Sequence, residues 1–313
     1  MLGRSCIIGE MLGCHAAGRR GWRKLRVPAS VLGTILTAAI MLANADRLGA
    51  QWLNYPTPGT PLTKAGAPDL AAKTPRASNG KPDLSGVWQI ERPQPGDYER
   101  FYGPAGAGQV FGDDVRDQNK YFFNLFVDFK PGEEPLRFEA REQTRRNQQN
   151  VIANSPSSHC LPYGLPARYF NARPFKIFQA PEAIVMYFEL DGAFRQIHTD
   201  GRKLPVDPFP SWIGYSVGTW EGDTLVADTA GFNDKSWLDA RGHGHSEALR
   251  MEERFHRRDF GHMDIEATVD DPVTLTKAVT VKFTVHLIPN SDVLETFCAE
   301  GERDQVYAQQ PAK

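Results

Sequence analysis

From residue 175 to the C-terminus the chain repeats one pattern: a short stretch in which apolar and polar residues alternate, then a tight turn, then another such stretch. Ile184, Met186, Phe188 and Leu190 alternate on one face, and Asp191-Gly192 supplies a turn into a strand over 194–199. A second hairpin joins 215–220 to 224–229 through Glu221-Gly222-Asp223, and a third pairs 249–257 with 263–269. Val281, Phe283, Val285 and Leu287 alternate again, and a last strand is expected over 293–299. A first strand is read over 84–90. Eight to ten antiparallel strands in consecutive hairpins leave open edges unless the sheet closes. The expected fold is therefore mainly β, an antiparallel meander closed as a lipocalin-like barrel or folded as a sandwich.

The region ahead of these strands is different. Residues 51–83 hold Pro56, Pro58, Pro61, Pro68, Pro75 and Pro82, and read as an extended arm whose Trp52, Leu53 and Tyr55 are free to tuck against the body. Residues 93–173 interrupt the barrel with aromatic-rich loops and one helix expected over 135–150, so residues 84–313 form a single β domain with an insertion.

The first 50 residues carry Arg19, Arg20, Arg23, Lys24 and Arg26, then residues 27–45 without a charge, then small residues. This is the layout of a secretory signal, with cleavage sites after Ala45 or, preferred here, after Ala50. Met11 is a second candidate start, and Arg19-Arg20 loosely resembles a twin-arginine signal. The competing reading is an uncleaved membrane anchor. With the signal removed the body is periplasmic or secreted and meets no membrane; uncleaved, it is associated with the envelope. Residues 1–50 carry 7 of the 36 Lys/Arg and 2 of the 38 Asp/Glu, which leaves 29 against 36 and a net charge near −7. Nucleic acid is then a poor partner. Cys160 and Cys298 are the two cysteines left in an oxidising compartment, and a disulfide is the natural reading. Two buried thiols, or metal ligation with His159, are the alternatives. Size demands no oligomer, and the partner expected is a small molecule.

Pro82-Asp83-Leu84-Ser85-Gly86-Val87-Trp88, Trp220-Glu221-Gly222-Asp223-Thr224-Leu225-Val226 and Gly231-Phe232-Asn233-Asp234 through Trp237-Leu238-Asp239 resemble a family of exported bacterial proteins of unassigned function. That resemblance implies no activity. Gly86-Val87-Trp88 is similar to the G-x-W of lipocalin-like barrels, which implies a barrel with a ligand site at its mouth.

Chemistry concentrates after the second hairpin, where Asp228, Asn233, Asp234, Asp239, Arg241, His243, His245 and Ser246 share one loop. Glu253 falls on the same strand face as Leu249, Met251 and Phe255, so it projects from the apolar side; desolvation there suits a proton carrier, and a structural pair with Arg168 or Arg202 fits equally. His198 shares a face with Phe194, ahead of Asp200-Gly201-Arg202. The first functional reading is a cofactor-independent acid/base enzyme, a hydrolase or a lyase/hydratase, for a small ring-bearing or sugar-like molecule. His245 and Glu253 exchange protons, Asp239 orients His245, His198 meets them, and Arg202 stabilises negative charge. The second is a lipocalin-like carrier of an apolar ligand. His243-Gly244-His245 also offers two imidazoles to a metal, but no cofactor is expected. The chain has no G-x-S-x-G, H-E-x-x-H, P-loop or dinucleotide fingerprint.

Overall fold

In a computed structural model the chain divides into two units, residues 1–51 and 52–313. The structure describes residues 55–93 and 118–298, all in the second unit; the expected signal segment, the start of the arm, residues 94–117 of the insertion and residues 299–313 lie outside the described residues. Nine strands close into a barrel in chain order: β1 (Gly86–Ile90), β2 (Phe175–Gln179), β3 (Ala183–Phe188), β4 (Phe194–His198), β5 (Tyr215–Glu221), β6 (Thr224–Ala230), β7 (Arg250–Arg257), β8 (His262–Asp270) and β9 (Val279–Leu287). β1 meets β9 through Trp88 opposite Leu287, which removes both edges.

An odd ring cannot alternate direction at every junction, so one neighbouring pair must be parallel. That pair is β4 and β5, joined at Ile197 opposite Ser216 and His198 opposite Val217. This corrects the all-antiparallel meander: residues 199–214 are not a hairpin but a strap running back along the barrel. The other hairpins form as the sequence indicates. Asp191 and Gly192 both take positive φ, 62° and 56°, the requirement of a primed turn. The expected strand over 293–299 does not form: residues 292–298 make one isolated bridge, Thr296 to Leu190, because β1 and β9 have already closed the ring.

Period-2 burial holds along β7, β8 and β9, where Met251, Phe255, Met263, Ile265, Val269, Val281 and Val285 are all at most 2% exposed. The end of the barrel at the start of β1 is sealed by Arg257. Its guanidinium lies 4.9 Å from the Trp88 ring and donates to the carbonyls of Asp83, Ser85 and Phe260, and burial pulls its pKa down to about 10. Gly86 (φ 143°) is required there, since a Cβ would come 2.4 Å from Leu287 Cδ1. The arm follows the barrel by backbone bonds, Phe260 N–H to Ala72 O and Gly261 N–H to Leu70 O.

The opposite end is filled by the insertion, whose described elements are α1 (Lys120–Phe123), α2 (Phe138–Gln149), α3 (Val151–Asn154), a 3-10 turn (Pro156–His159) and α4 (Ala167–Phe170). α2 matches the expected helix. α4 drives Tyr169 into the barrel, 5.7 to 5.8 Å from the rings of Phe175, Phe188 and Phe283. Cys160 and Cys298 form the expected disulfide, Cα atoms 5.4 Å apart. It closes a loop with a sequence separation of 138 residues, which on chain-entropy grounds contributes about 4 to 5 kcal/mol.

Glu253 is fully buried, and its partner is Arg195. Arg195 Nη1 donates to Oε1 at 2.9 Å, Nη2 donates to Oε2, and the Tyr169 hydroxyl donates to Oε1 at 2.8 Å. The remaining guanidinium donors reach Tyr169 Oη (2.6 Å), Ser216 Oγ (3.0 Å) and Thr229 Oγ1 (2.8 Å). All five N–H groups of Arg195 are thus used. Burial alone would lower the arginine pKa, but Glu253 and Tyr169 hold it above the ordinary value. Glu253→Gln leaves a buried cation without its counter-charge and is expected to cost about 3 to 5 kcal/mol in urea denaturation. A variant within about 1 kcal/mol of the parent would mean that the pair is not holding the barrel.

Candidate functional site

Residues 231–249, between β6 and β7, lie at the barrel end occupied by the insertion. Gly231 and Ser211 start the loop through Ser211 N–H to Gly231 O and Asn233 N–H to Ser211 O. Trp237 and Gly244 then bridge, and Leu238 N–H donates to His243 O at 2.7 Å, which makes a small hairpin. Asp239 is its core. One carboxylate oxygen accepts from Arg241 N–H (3.0 Å) and His243 N–H (3.4 Å), the other from Leu125 N–H and from His243 Nδ1, both at 2.6 Å. Asp239 therefore orients His243, not His245 as the sequence reading expects. The reason is reach: the turn folds the carboxylate back onto the residue four positions on, whose ring stands edge-on to Phe126 at 4.7 Å.

His245 has a different partner. Its Nδ1 lies 3.1 Å from Ser246 O, an acceptor only, so Nδ1 carries the proton. Nε2 is left with its lone pair and accepts from Ser236 Oγ at 2.9 Å. Ser246 is itself fixed by Asp271, which accepts from its N–H (2.7 Å) and its hydroxyl (2.8 Å) and is fully buried. Burial would raise the Asp271 pKa, but these bonds and that of Val273 N–H hold it below the ordinary value. The result is a linked row from Asp271 through Ser246 and His245 to Ser236. Ser236 and His245 are 3% and 6% exposed. A gap of about 30 Å³, room for one or two waters, opens beside Ser236, between residues 155–157 and 162–163 on one side and 236–240 on the other. Gly164 closes against the same hydroxyl: a Cβ there would stand 2.2 Å from Ser236 Oγ.

The remaining candidates do not converge on this pair. Glu253 is inside the barrel with Arg195, which replaces the expected Arg168 or Arg202. Arg168 instead donates to Tyr163 O and Leu190 O, and burial pulls its pKa to about 10. His198 lies on the outer wall, because β4 buries Arg195 and Ile197 and leaves Phe194 70% exposed. The apolar Phe194 is misleading about the inward face; the Glu253 carboxylate holds Arg195 there. His198 stacks on Tyr215 at 5.1 Å, and Arg202 is paired with Asp200 and the Tyr215 hydroxyl on the same outer surface. Desolvation first, then Arg202, lowers the His198 pKa. Among the described residues no three His, Cys, Asp or Glu side chains are grouped to hold a metal.

Sequence reasoning misses Ser236, Asp271, Arg195 and Tyr169. Ser236 sits inside the Asn233-Asp234-Lys235-Ser236-Trp237 stretch, but the bridge that folds it onto His245 has no signature in spacing.

Burial lowers the His245 pKa below the ordinary 6.5, against the opposing pull of the Ser246 carbonyl and Asp271. The unfolded chain then takes up a proton on this ring at a higher pH than the folded one does. Stability is complete above the unfolded value and falls as the pH drops through the window below it, by at most about 1.4 kcal/mol per pH unit from this group. Urea denaturation between pH 8 and 5 is expected to show a shallower acid loss in His245→Gln than in the parent; equal slopes would place the acid sensitivity elsewhere. No family model, curated protein or solved structure matches the chain, so the site stands on its own geometry.

Proposed function

We propose that the protein is an exported hydrolase working by acid/base and nucleophilic catalysis, with Ser236 as nucleophile and His245 as its base. The observation that carries this is the 2.9 Å bond from Ser236 Oγ to an Nε2 whose tautomer is dictated by the Ser246 carbonyl. A hydroxyl is a poor nucleophile until a neighbouring base takes its proton. Lowered below the usual histidine range by burial, His245 is neutral at pH 7 and able to accept. In the reaction Ser236 Oγ attacks the carbonyl carbon of an ester or amide while Nε2 takes the hydroxyl proton. The proton then passes to the departing oxygen or nitrogen. Water, deprotonated by the same Nε2, attacks the acyl-enzyme and frees Ser236. Asp271 contributes at one remove, by holding Ser246 so that its carbonyl keeps Nδ1 protonated.

Tyr163 and Trp237 border the gap beside Ser236, which favours a small ring-bearing substrate. The carrier reading is less favoured, because Tyr169, Phe175, Phe188 and Phe283 pack the barrel's core where an apolar ligand would lie. Glu253 is no longer a proton carrier in this scheme. Release to the periplasm or the medium is supported by the signal-like leader and the disulfide. Among the described residues no helix is long and apolar enough to cross a membrane.

A small phosphonofluoridate is expected to add to Ser236 as a single mass increment located by peptide mapping, and Ser236→Ala to remove both the adduct and activity on an ester panel, by about 10³- to 10⁶-fold, without a change in melting temperature. Unchanged turnover in the alanine variant would end the proposal.

A further inference from the structure

The gap beside Ser236 is bordered on its other side by the segment 155–162, a compact turn held at its start by Ser155 N–H to Val151 O at 2.8 Å. Within the turn Ser158 N–H donates to Ser155 O, Cys160 N–H to Ser157 O and Leu161 N–H to Pro156 O, and Ser155 Oγ lies 2.9 Å from Ser157 Oγ. His159 Nε2 turns back to Ala153 O at 2.8 Å. Pro156 and Pro162 lie near the ends of this compact turn. Beyond Pro162 the chain is anchored, because Arg168 donates to Tyr163 O from Nε and Nη2.

The covalent attachment of the segment is Cys160 to Cys298. Cys298 belongs to the stretch 292–298, which is fixed to the turn between β3 and β4 by Leu294 N–H to Glu189 Oε2 (3.1 Å) and by the bridge of Thr296 to Leu190. The disulfide thus pins the 155–162 segment to the barrel rim at a point remote in sequence. Both cysteines are half-buried. At about 30 Å³ the gap is far smaller than a substrate, so the segment must move for Ser236 to act.

We propose that residues 155–162 are a lid over Ser236 and that the Cys160–Cys298 disulfide is its latch, opened by a dithiol. This rests on the hydrolase reading of the pair. In the opening step one thiolate of the dithiol attacks a cystine sulfur and the S–S bond breaks. The second thiol resolves the mixed disulfide, leaving Cys160 and Cys298 as thiols and the dithiol as its own disulfide, a two-electron, two-proton exchange. The free lid swings on its proline-flanked ends, exposing the hydroxyl.

The test uses the full exported chain, oxidised and after dithiothreitol, with the melting curve followed to establish that the reduced protein is folded at the assay temperature. Two signals are read: the rate at which a phosphonofluoridate labels Ser236, and hydrogen exchange over 155–162 and 236–240. Since labelling scales with the open fraction, reduction is expected to speed it about tenfold or more and to raise exchange in both segments. Cys160→Ser/Cys298→Ser is expected to label at the reduced rate without dithiol and to ignore it. Labelling at one rate in both redox states overturns the latch and leaves the nucleophile standing. Faster exchange on reduction with no labelling in either state upholds the latch and overturns the nucleophile. No labelling with unchanged exchange overturns both.

Discussion

The Arg195–Glu253 pair is the constraint on which the rest of the structure depends. Arg195 comes from β4, Glu253 from β7, Ser216 from β5 and Thr229 from β6, and the guanidinium touches all of them. These four strands span the parallel junction, where β4 and β5 share two register positions and have little else to fix them. A charge pair buried in an apolar barrel is not a strong source of stability in itself. Its value here is selective: one register satisfies five donors at once, and a slip by one residue would turn Arg195 outward and leave Glu253 alone. Tyr169 adds the insertion to the same network, so barrel and plug are positioned by one set of bonds.

The strands of β7, β8 and β9, the turn at Asp191-Gly192, the helix near 138–149 and the disulfide are legible in the chain because each is governed by local periodicity, turn chemistry or cysteine arithmetic. The inward position of Glu253 is legible for the same reason. Its partner is not, since spacing does not say which arginine points inward, and Arg195 hides in a strand whose apolar Phe194 points the wrong way. The parallel junction is also invisible locally: it follows from counting strands around a closed ring, and the count depends on whether residues 293–298 pair. The site is half legible. His245 and Asp239 stand out by residue type, yet a short hairpin bridged at Trp237 and Gly244 gives Asp239 to His243 and Ser236 to His245.

Two histidines two residues apart thus have different partners. His243 is held by a carboxylate, His245 by a neutral carbonyl and a hydroxyl. A carbonyl orients an imidazole without adding a full charge beside it, so burial dominates and the ring stays neutral. The Asp271 carboxylate is set one residue further back, where it fixes the backbone.

The closure of β1 on β9 bears on the order in which the chain can fold. Trp88 pairs with Leu287, so the first strand of the ring finds one of its two neighbours only when the last strand is present. Contacts this distant in sequence are slow to form, since most of the chain must be ordered before they are rewarded. During synthesis from the N-terminus, β1 therefore waits with an exposed edge while β2 to β8 assemble beside it.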